Sequence, residues 1–114
     1  MVSSRSALAR IAIPQVLVES LEELAEGVLS GYSGLRIVVF GSRAAGNPRP
    51  TSDVDIGIDA GAAIDSRTMF ALRERLERVR TLIAVDVVDL ARVDPAFRDA
   101  VLREGVVVVE RQAA

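Results

Sequence analysis

The chain has 114 residues, of which 50% are hydrophobic and 26% charged, and this balance predicts one soluble globular domain over residues 1–114. Its formal net charge of −2 disfavours binding to a long nucleic acid, because proteins that follow a phosphate backbone usually carry a basic surface. Histidine, cysteine and lysine are absent, and all 14 basic residues are arginines, which excludes a histidine base, a thiolate metal site and a P-loop.

Helical and strand patterns alternate along the first half of the chain. A helix is predicted over 14–30, where Pro14 suits the first turn and apolar residues return at helical spacing. A β-branched run at 36–40 predicts a buried strand, and the loop at 41–52 is rich in glycine, proline and serine. At 53–60 aspartates alternate with apolar residues, which predicts a strand with one acidic face. The expected apolar face of the helix consists of Leu17, Leu21, Leu24 and Val28.

A second helix and a third strand follow. The helix is expected to begin at Asp65 or Ser66, either of which can cap it, and to run to about residue 82. Residues 84–90, in which valines flank Asp86, are predicted to form the strand. The apolar stripe of this helix would consist of Leu72, Leu76, Val79 and Ile83.

A third helix and a last strand complete the pattern. Asp94 and Pro95 are a strong start signal for the helix, and Gly105 is expected to end it. The last strand is predicted at 106–110. The order α-β-β-α-β-α-β predicts an α/β fold with a sheet of about four strands flanked by helices. We expect this sheet to be mixed, because no crossover helix separates the first two strands.

Three aspartates on two of these strands are candidate metal ligands. Asp53 and Asp55 lie two residues apart, so their side chains leave the same face, with Cα atoms about 6.5 Å apart. Asp86 joins them if its strand is a neighbour in the sheet. Two charges about 5 Å apart at an effective dielectric near 20 repel by roughly 3 kcal/mol. Two Mg²⁺ ions would offset this repulsion and could clamp a phosphoryl displacement.

Other interpretations of the acidic residues stay open. The three candidate ligands could instead be solvated residues of an exposed strand face. Asp59 is expected at a strand end, in contact with solvent. Asp89 lies three residues after Asp86 and so points to the opposite face, which favours an edge or turn residue. The alternative is that Asp89 is the third carboxylate of the site.

The pair Gly41-Ser42, directly after the first strand, is a candidate phosphate-binding turn. Glycine allows the backbone to approach a phosphate closely. The Ser42 hydroxyl and the amides from Arg43 onward could then donate hydrogen bonds to that phosphate. A Gly-Ser pair is most often a simple turn, and this one is of interest because ten residues separate it from Asp53.

This combination resembles the signature of the DNA polymerase β-like nucleotidyltransferase superfamily, in which a Gly-Ser pair precedes an Asp-x-Asp strand. The flanking segments are similar to its minimal nucleotidyltransferase (MNT) branch, and the similarity covers about 35–111, preceded by the helix at 14–30. The matching segments are Phe40-Gly41-Ser42-Arg43-Ala44, Gly46, Ser52-Asp53-Val54-Asp55, Val85-Asp86-Val87-Val88-Asp89-Leu90 and Leu102-Arg103-Glu104-Gly105-Val106.

The resemblance implies a role for each motif. In that family the serine of the Gly-Ser pair contacts the nucleoside triphosphate, and the paired aspartates hold Mg²⁺. The third aspartate, here Asp86, completes the metal site and helps to deprotonate the attacking hydroxyl. Many MNT proteins are antitoxins that transfer AMP from ATP to a tyrosine of a partner toxin with a HEPN domain. This chain has Ala45 where relatives often have an arginine, and Arg43 or Arg49 are the candidates to supply that charge.

Three hypotheses for the function follow. The first is an enzyme that transfers AMP to a HEPN toxin, and the absence of a second domain to hold a small acceptor favours it. The second is a non-catalytic antitoxin that binds its partner and retains a vestigial site. The third is a small-molecule nucleotidyltransferase. A cytoplasmic location is expected, because neither a membrane-spanning run nor a signal peptide is evident. The acceptor, the base preference and the choice between a monomer and a homo-oligomer stay open.

Overall fold

The structure is a computed structural model that describes residues 13–41, 54–79 and 84–113. These residues form three helices and a four-stranded sheet in the predicted order. Among the helices of this described part, none has the length and apolar composition needed to cross a membrane. The elements are α1 (Gln15–Glu26), β1 (Leu35–Phe40), β2 (Val54–Asp59), α2 (Ser66–Glu77), β3 (Val85–Asp89), α3 (Pro95–Glu104) and β4 (Val106–Arg111).

The sheet is mixed, as the sequence predicts. Its strand order is β3-β2-β1-β4, with β1 antiparallel to both β2 and β4 and with β2 parallel to β3. The pairing aligns Phe40 of β1 with Asp55 of β2, and Asp55 in turn with Asp86 of β3. Because residues directly opposite each other on neighbouring strands share a face, these three side chains form a row across one face of the sheet.

The helices cover the two faces of the sheet unequally. On one face, Val54, Ile56 and Ile58 of β2 are fully buried in a large cluster with residues of α1 and α2. On the other face, α3 packs on β1, and the smaller cluster there is formed by Val38, Leu90 and Val101. The row that contains Asp55 lies on this second face, because Phe40 and Val38 are two residues apart on β1.

The first helix ends earlier than the sequence pattern suggests. It stops at Glu26 rather than near residue 30, because the chain leaves the helix at Gly27. The N–H of Leu29 then donates to the Leu24 carbonyl at 2.8 Å, and this turn buries the Leu29 side chain. Val28, which was expected on the apolar face, is instead exposed. The helical repeat in the sequence therefore continues past the point at which glycine ends the helix.

The second helix is also shorter than predicted. It ends at Glu77 rather than near residue 82, and the N–H of Arg78 bonds to the Arg75 and Leu76 carbonyls in a tightened last turn. Residues 80–83, which include the predicted Ile83, lie outside the described residues.

Aspartates cap the starts of α2 and α3, as predicted. The Asp65 carboxylate accepts hydrogen bonds from the Thr68 N–H at 2.8 Å and the Thr68 hydroxyl at 2.9 Å. These bonds, the backbone one first, lower the pKa of the Asp65 carboxyl. Asp94 accepts from the Ala96 N–H at 3.1 Å, a proline occupies the first turn, and Gly105 follows the last helical residue.

Candidate active site

Two of the three predicted carboxylates are direct neighbours in the sheet. Asp55 is the second residue of β2 and Asp86 the second of β3, and the parallel pairing places them opposite each other. Neighbouring strands lie about 4.8 Å apart, so both carboxylates leave one patch of the same face. Asp55 is half-buried, whereas Asp86 is exposed on the outermost strand of the described sheet. The third carboxylate, that of Asp53, lies outside the described residues.

Gly41 connects the end of β1 to this patch. Its φ of +79° lies in the left-handed region, which glycine adopts without steric cost. A Cβ at Gly41 would lie 2.4 Å from Oδ2 of Asp55, so an added side chain would have to displace this carboxylate or the turn. The turn after β1 therefore begins in contact with Asp55. Ser42 and Arg43, the other predicted phosphate-binding residues, lie outside the described residues.

The described part of the patch fits a divalent cation. Hard cations such as Mg²⁺ take oxygen ligands, and Asp55 and Asp86 provide two carboxylates at directly paired positions of neighbouring strands. Among residues 13–41, 54–79 and 84–113, no group of three acidic side chains converges in this way. The structure thus brings two predicted ligands together, and the assignment of Asp53, Asp55 and Asp86 as ligands stays a prediction.

A cavity of about 430 Å³ opens beside the outer strand β3, and Asp86 contributes to its wall. Arg73 of α2 lines the same cavity, and its guanidinium donates a hydrogen bond to the Val87 carbonyl at 3.3 Å. Asp86 is itself exposed on the outermost strand of the described sheet, so its carboxylate can be approached from the edge of the sheet. No local pattern in the sequence indicates this cavity, because it depends on how α2 packs beside β3.

Asp89 has a structural role at the end of β3. It is 5% exposed, and its carboxylate accepts the Ile64 N–H at 2.8 Å and the Ala91 N–H at 3.0 Å. The Nε of Arg92 lies 3.4 Å from the same carboxylate. Asp89 also faces the side of the sheet opposite to Asp86, so it is the edge and turn residue that the sequence indicated.

Asp59 ends β2, as predicted, but it is ion-paired rather than simply solvated. The Arg36 guanidinium donates to its carboxylate at 2.6 Å, and the Gly61 N–H donates at 3.2 Å. Arg36 is its direct partner on β1, a pairing that the sequence could not reveal before the register was known. This ion pair lies at the opposite end of β2 from Asp55.

The contrast between Asp89 and Asp86 gives a stability prediction. Asp89→Ala should lower the free energy of unfolding by about 2–3 kcal/mol, because it leaves the buried Ile64 N–H without its acceptor. Asp86→Ala, an exposed change on the same strand, should alter it by less than about 0.5 kcal/mol. Urea unfolding of both variants measures this difference. Equal losses would show that the hydrogen bonds of Asp89 do not hold this turn.

Both the sequence and the fold are similar to those of known proteins. Residues 27–114 match the protein-family model "Polymerase beta, Nucleotidyltransferase". A toxin-antitoxin crystallised with AMP-PNP is similar over 83% of this chain and 74% of that chain, with 23% identity and a TM-score of 0.67. A proposed minimal nucleotidyltransferase shows 30% identity over 78% of this chain and 93% of that chain, with a TM-score of 0.45.

A proposed nucleotidyltransferase from Sulfolobus solfataricus shows 24% identity over 97% of this chain and 93% of that chain, with a TM-score of 0.48. No curated protein matches the chain. The family model covers more than half of the chain, and the toxin-antitoxin structure shares its fold. These findings confirm the family that the Gly-Ser and Asp-x-Asp spacing indicated. The protein therefore belongs to the polymerase β nucleotidyltransferase family.

Proposed function

We propose that this protein is a Mg²⁺-dependent enzyme that transfers AMP from ATP to a tyrosine hydroxyl of a HEPN-domain toxin, and so acts as its antitoxin. The observation that carries the proposal is the direct pairing of Asp55 with Asp86 beside Gly41. The resemblance of the motifs to the MNT branch supports it. So does the fold shared with a toxin-antitoxin crystallised with AMP-PNP, an analogue of ATP.

Each residue of the site has a task in this proposal. Asp53, Asp55 and Asp86 would hold Mg²⁺, which neutralises phosphate charge and favours departure of pyrophosphate. Gly41, Ser42 and Arg43 would bind the triphosphate.

Asp86 would also take the proton of the acceptor hydroxyl. The hydroxyl oxygen bonds to the α-phosphorus, and the bond from that phosphorus to the oxygen bridging to the β-phosphate breaks. Because the chain contains no histidine, a carboxylate is the best general base that its side chains offer for this proton transfer. The exposure of Asp86 on the outermost strand of the described sheet supports an acceptor that arrives from the edge of the sheet.

A label-transfer experiment tests this function. The protein is incubated with Mg²⁺, ATP labelled at the α-phosphate, and the product of the neighbouring gene as candidate partner. Covalent label on the partner is the expected result. Tight binding of the partner without label would favour a non-catalytic antitoxin with a vestigial site. Label on an added small molecule, with none on the partner, would favour a small-molecule nucleotidyltransferase.

Mg²⁺ and ATP should bind together more tightly than either binds alone. The cation offsets repulsion between the Asp55 and Asp86 carboxylates and bridges to the phosphates, so Asp55→Asn should weaken ATP binding at least about tenfold. Asp59→Asn is the matched control, because Asp59 lies at the other end of β2 and pairs with Arg36. Calorimetry that finds ATP affinity indifferent to Mg²⁺ and to Asp55→Asn would indicate a vestigial site.

A further inference from the structure

An aromatic pair lies on the same face of the sheet as the carboxylates. The rings of Phe40 and Phe97 meet edge to face, with centroids 5.9 Å apart and planes at 82°. Phe40 ends β1 and is half-buried, whereas Phe97 projects from the first turns of α3 with 44% of its surface exposed. The contact with Phe40 restrains the Phe97 ring, so a ligand that stacks on this ring meets a surface that is already ordered.

The separation between the carboxylates and the aromatic pair is similar to the separation between the phosphates and the base of a nucleotide. Phe40 is the direct partner of Asp55, which is the direct partner of Asp86. Across this face the order is therefore Asp86, Asp55 and Phe40, at about one strand spacing of 4.8 Å each, and the Phe97 ring contacts Phe40. In a nucleotide the ribose separates the phosphates from the base. Phosphates held at Asp55 and Gly41 thus leave the base within reach of the aromatic pair.

The remaining aromatic residues of the chain cannot serve this purpose. The sequence contains one tyrosine, three phenylalanines and no tryptophan, and all four aromatic residues fall within the described part. Tyr32 packs against the cluster on the opposite face of the sheet. Phe70 is 65% exposed on α2, and α2 also belongs to that opposite face. Phe97 is thus the one exposed aromatic ring on the face that carries Asp55.

We propose that Phe97, held in place by Phe40, is the surface on which the base of the bound nucleotide stacks. This inference rests on the proposed function, because it needs the phosphates at Asp55 and Gly41. Stacking uses the flat face of a base, which every base has, and it is stronger for the larger purines. Phe97 therefore favours purine nucleotides over pyrimidine nucleotides and does not distinguish ATP from GTP.

Two ligands and three variants test the stacking. Mg²⁺-ATP and Mg²⁺-tripolyphosphate, which lacks the sugar and base, are titrated into the full chain by calorimetry. Phe97→Leu keeps an apolar side chain against Phe40 but removes the ring, and it should weaken ATP binding about tenfold while leaving tripolyphosphate binding unchanged. Phe97→Tyr, which keeps a ring, should retain the ATP affinity. Phe70→Leu is the matched control and should change neither ligand.

Several results would overturn the inference. Unchanged ATP affinity in Phe97→Leu removes the stacking role. If Phe97→Leu weakens tripolyphosphate binding as much as ATP binding, Phe97 maintains the shape of the phosphate site and does not stack on the base. Loss of the partner protein from Phe97→Leu, with ATP binding intact, would make Phe97 an anchor for that partner.

The same titrations distinguish failure of the proposed function from failure of the stacking alone. If the wild-type chain does not bind Mg²⁺-tripolyphosphate, or if Asp55→Asn does not weaken that binding, the phosphate site is wrong and the inference falls with it. If Asp55→Asn weakens binding of both ligands and Phe97→Leu weakens neither, only the stacking is wrong.

Discussion

Replacing Asp55 and Asp86 together by asparagine is expected to lower AMP transfer about a thousandfold or more while the protein still co-purifies with its partner. Asparagine keeps the size of each side chain but removes the charge that a divalent cation needs. Groups that stabilise charge in a transition state typically contribute about a hundredfold or more each. The change removes little apolar surface, since Asp86 is exposed and Asp55 half-buried, so an interface that rests on apolar contact should persist.

The control for this double variant is Asp59→Asn, which changes the same residue type on β2 but breaks only the ion pair with Arg36. It should transfer AMP at close to the wild-type rate. Normal transfer by the double variant would show that the catalytic assignment is wrong. Loss of the partner from the double variant would show that the acidic patch is an interface, which favours a non-catalytic antitoxin.

Gly41→Ala is expected to lower the transfer rate about a hundredfold, because the new Cβ would lie 2.4 Å from Oδ2 of Asp55. Either the carboxylate or the turn that begins at Gly41 must move, and displacing a reacting group by about 1 Å can cost a hundredfold in rate. The φ of +79° adds a backbone cost of about 1–2 kcal/mol for a residue with a side chain.

Gly61→Ala separates the contact from the backbone strain. Gly61 has a φ of +77°, and nothing lies within 4 Å of the Cβ it would gain. In thermal unfolding, Gly61→Ala should therefore lose only the stability that the backbone strain costs and Gly41→Ala at least as much, but only Gly41→Ala should lose activity. An equal loss of activity in the two would mean that the approach of Gly41 to Asp55 has no part in the reaction.

Local chemistry made most of the fold predictable. The alternation in β2 separated the buried Val54, Ile56 and Ile58 from the acidic face, as the structure confirms. The caps at Asp65 and Asp94 were predictable because each is an oxygen acceptor directly before a helix. The mixed sheet followed from the missing crossover between the first two strands.

The helix ends were less predictable, because periodicity does not show where a helix stops. The apolar repeat continues to Val28, but the helix ends at Glu26 and the following turn buries Leu29. Hydrogen bonds between residues far apart in the sequence also could not be predicted. The hydrogen bond from Ile64 to Asp89 depends on how the loop before α2 folds onto β3.

The candidate site likewise has features that local sequence predicts and features that only the tertiary structure reveals. The two-residue spacing predicted that Asp53 and Asp55 share a face, but only the register shows that Asp86 lies directly beside Asp55. The contact of Phe40 with Phe97 joins residues on a strand and a distant helix, and no local pattern indicates it. The two-residue spacing within one strand is legible in the sequence, whereas the neighbours of Asp55 on the adjoining strands depend on tertiary packing.

A crystal structure of the protein grown with Mn²⁺ and AMP-PNP, in which anomalous scattering locates the metal, would show directly whether Asp55 and Asp86 hold the cation. We expect the metal to be bonded to carboxylate oxygens of both Asp55 and Asp86 and to a phosphate oxygen of the nucleotide. Density for the nucleotide and metal at other residues, with Asp55 and Asp86 bonded to neither, would contradict the claim that this pair of carboxylates forms the centre of a nucleotidyltransferase site.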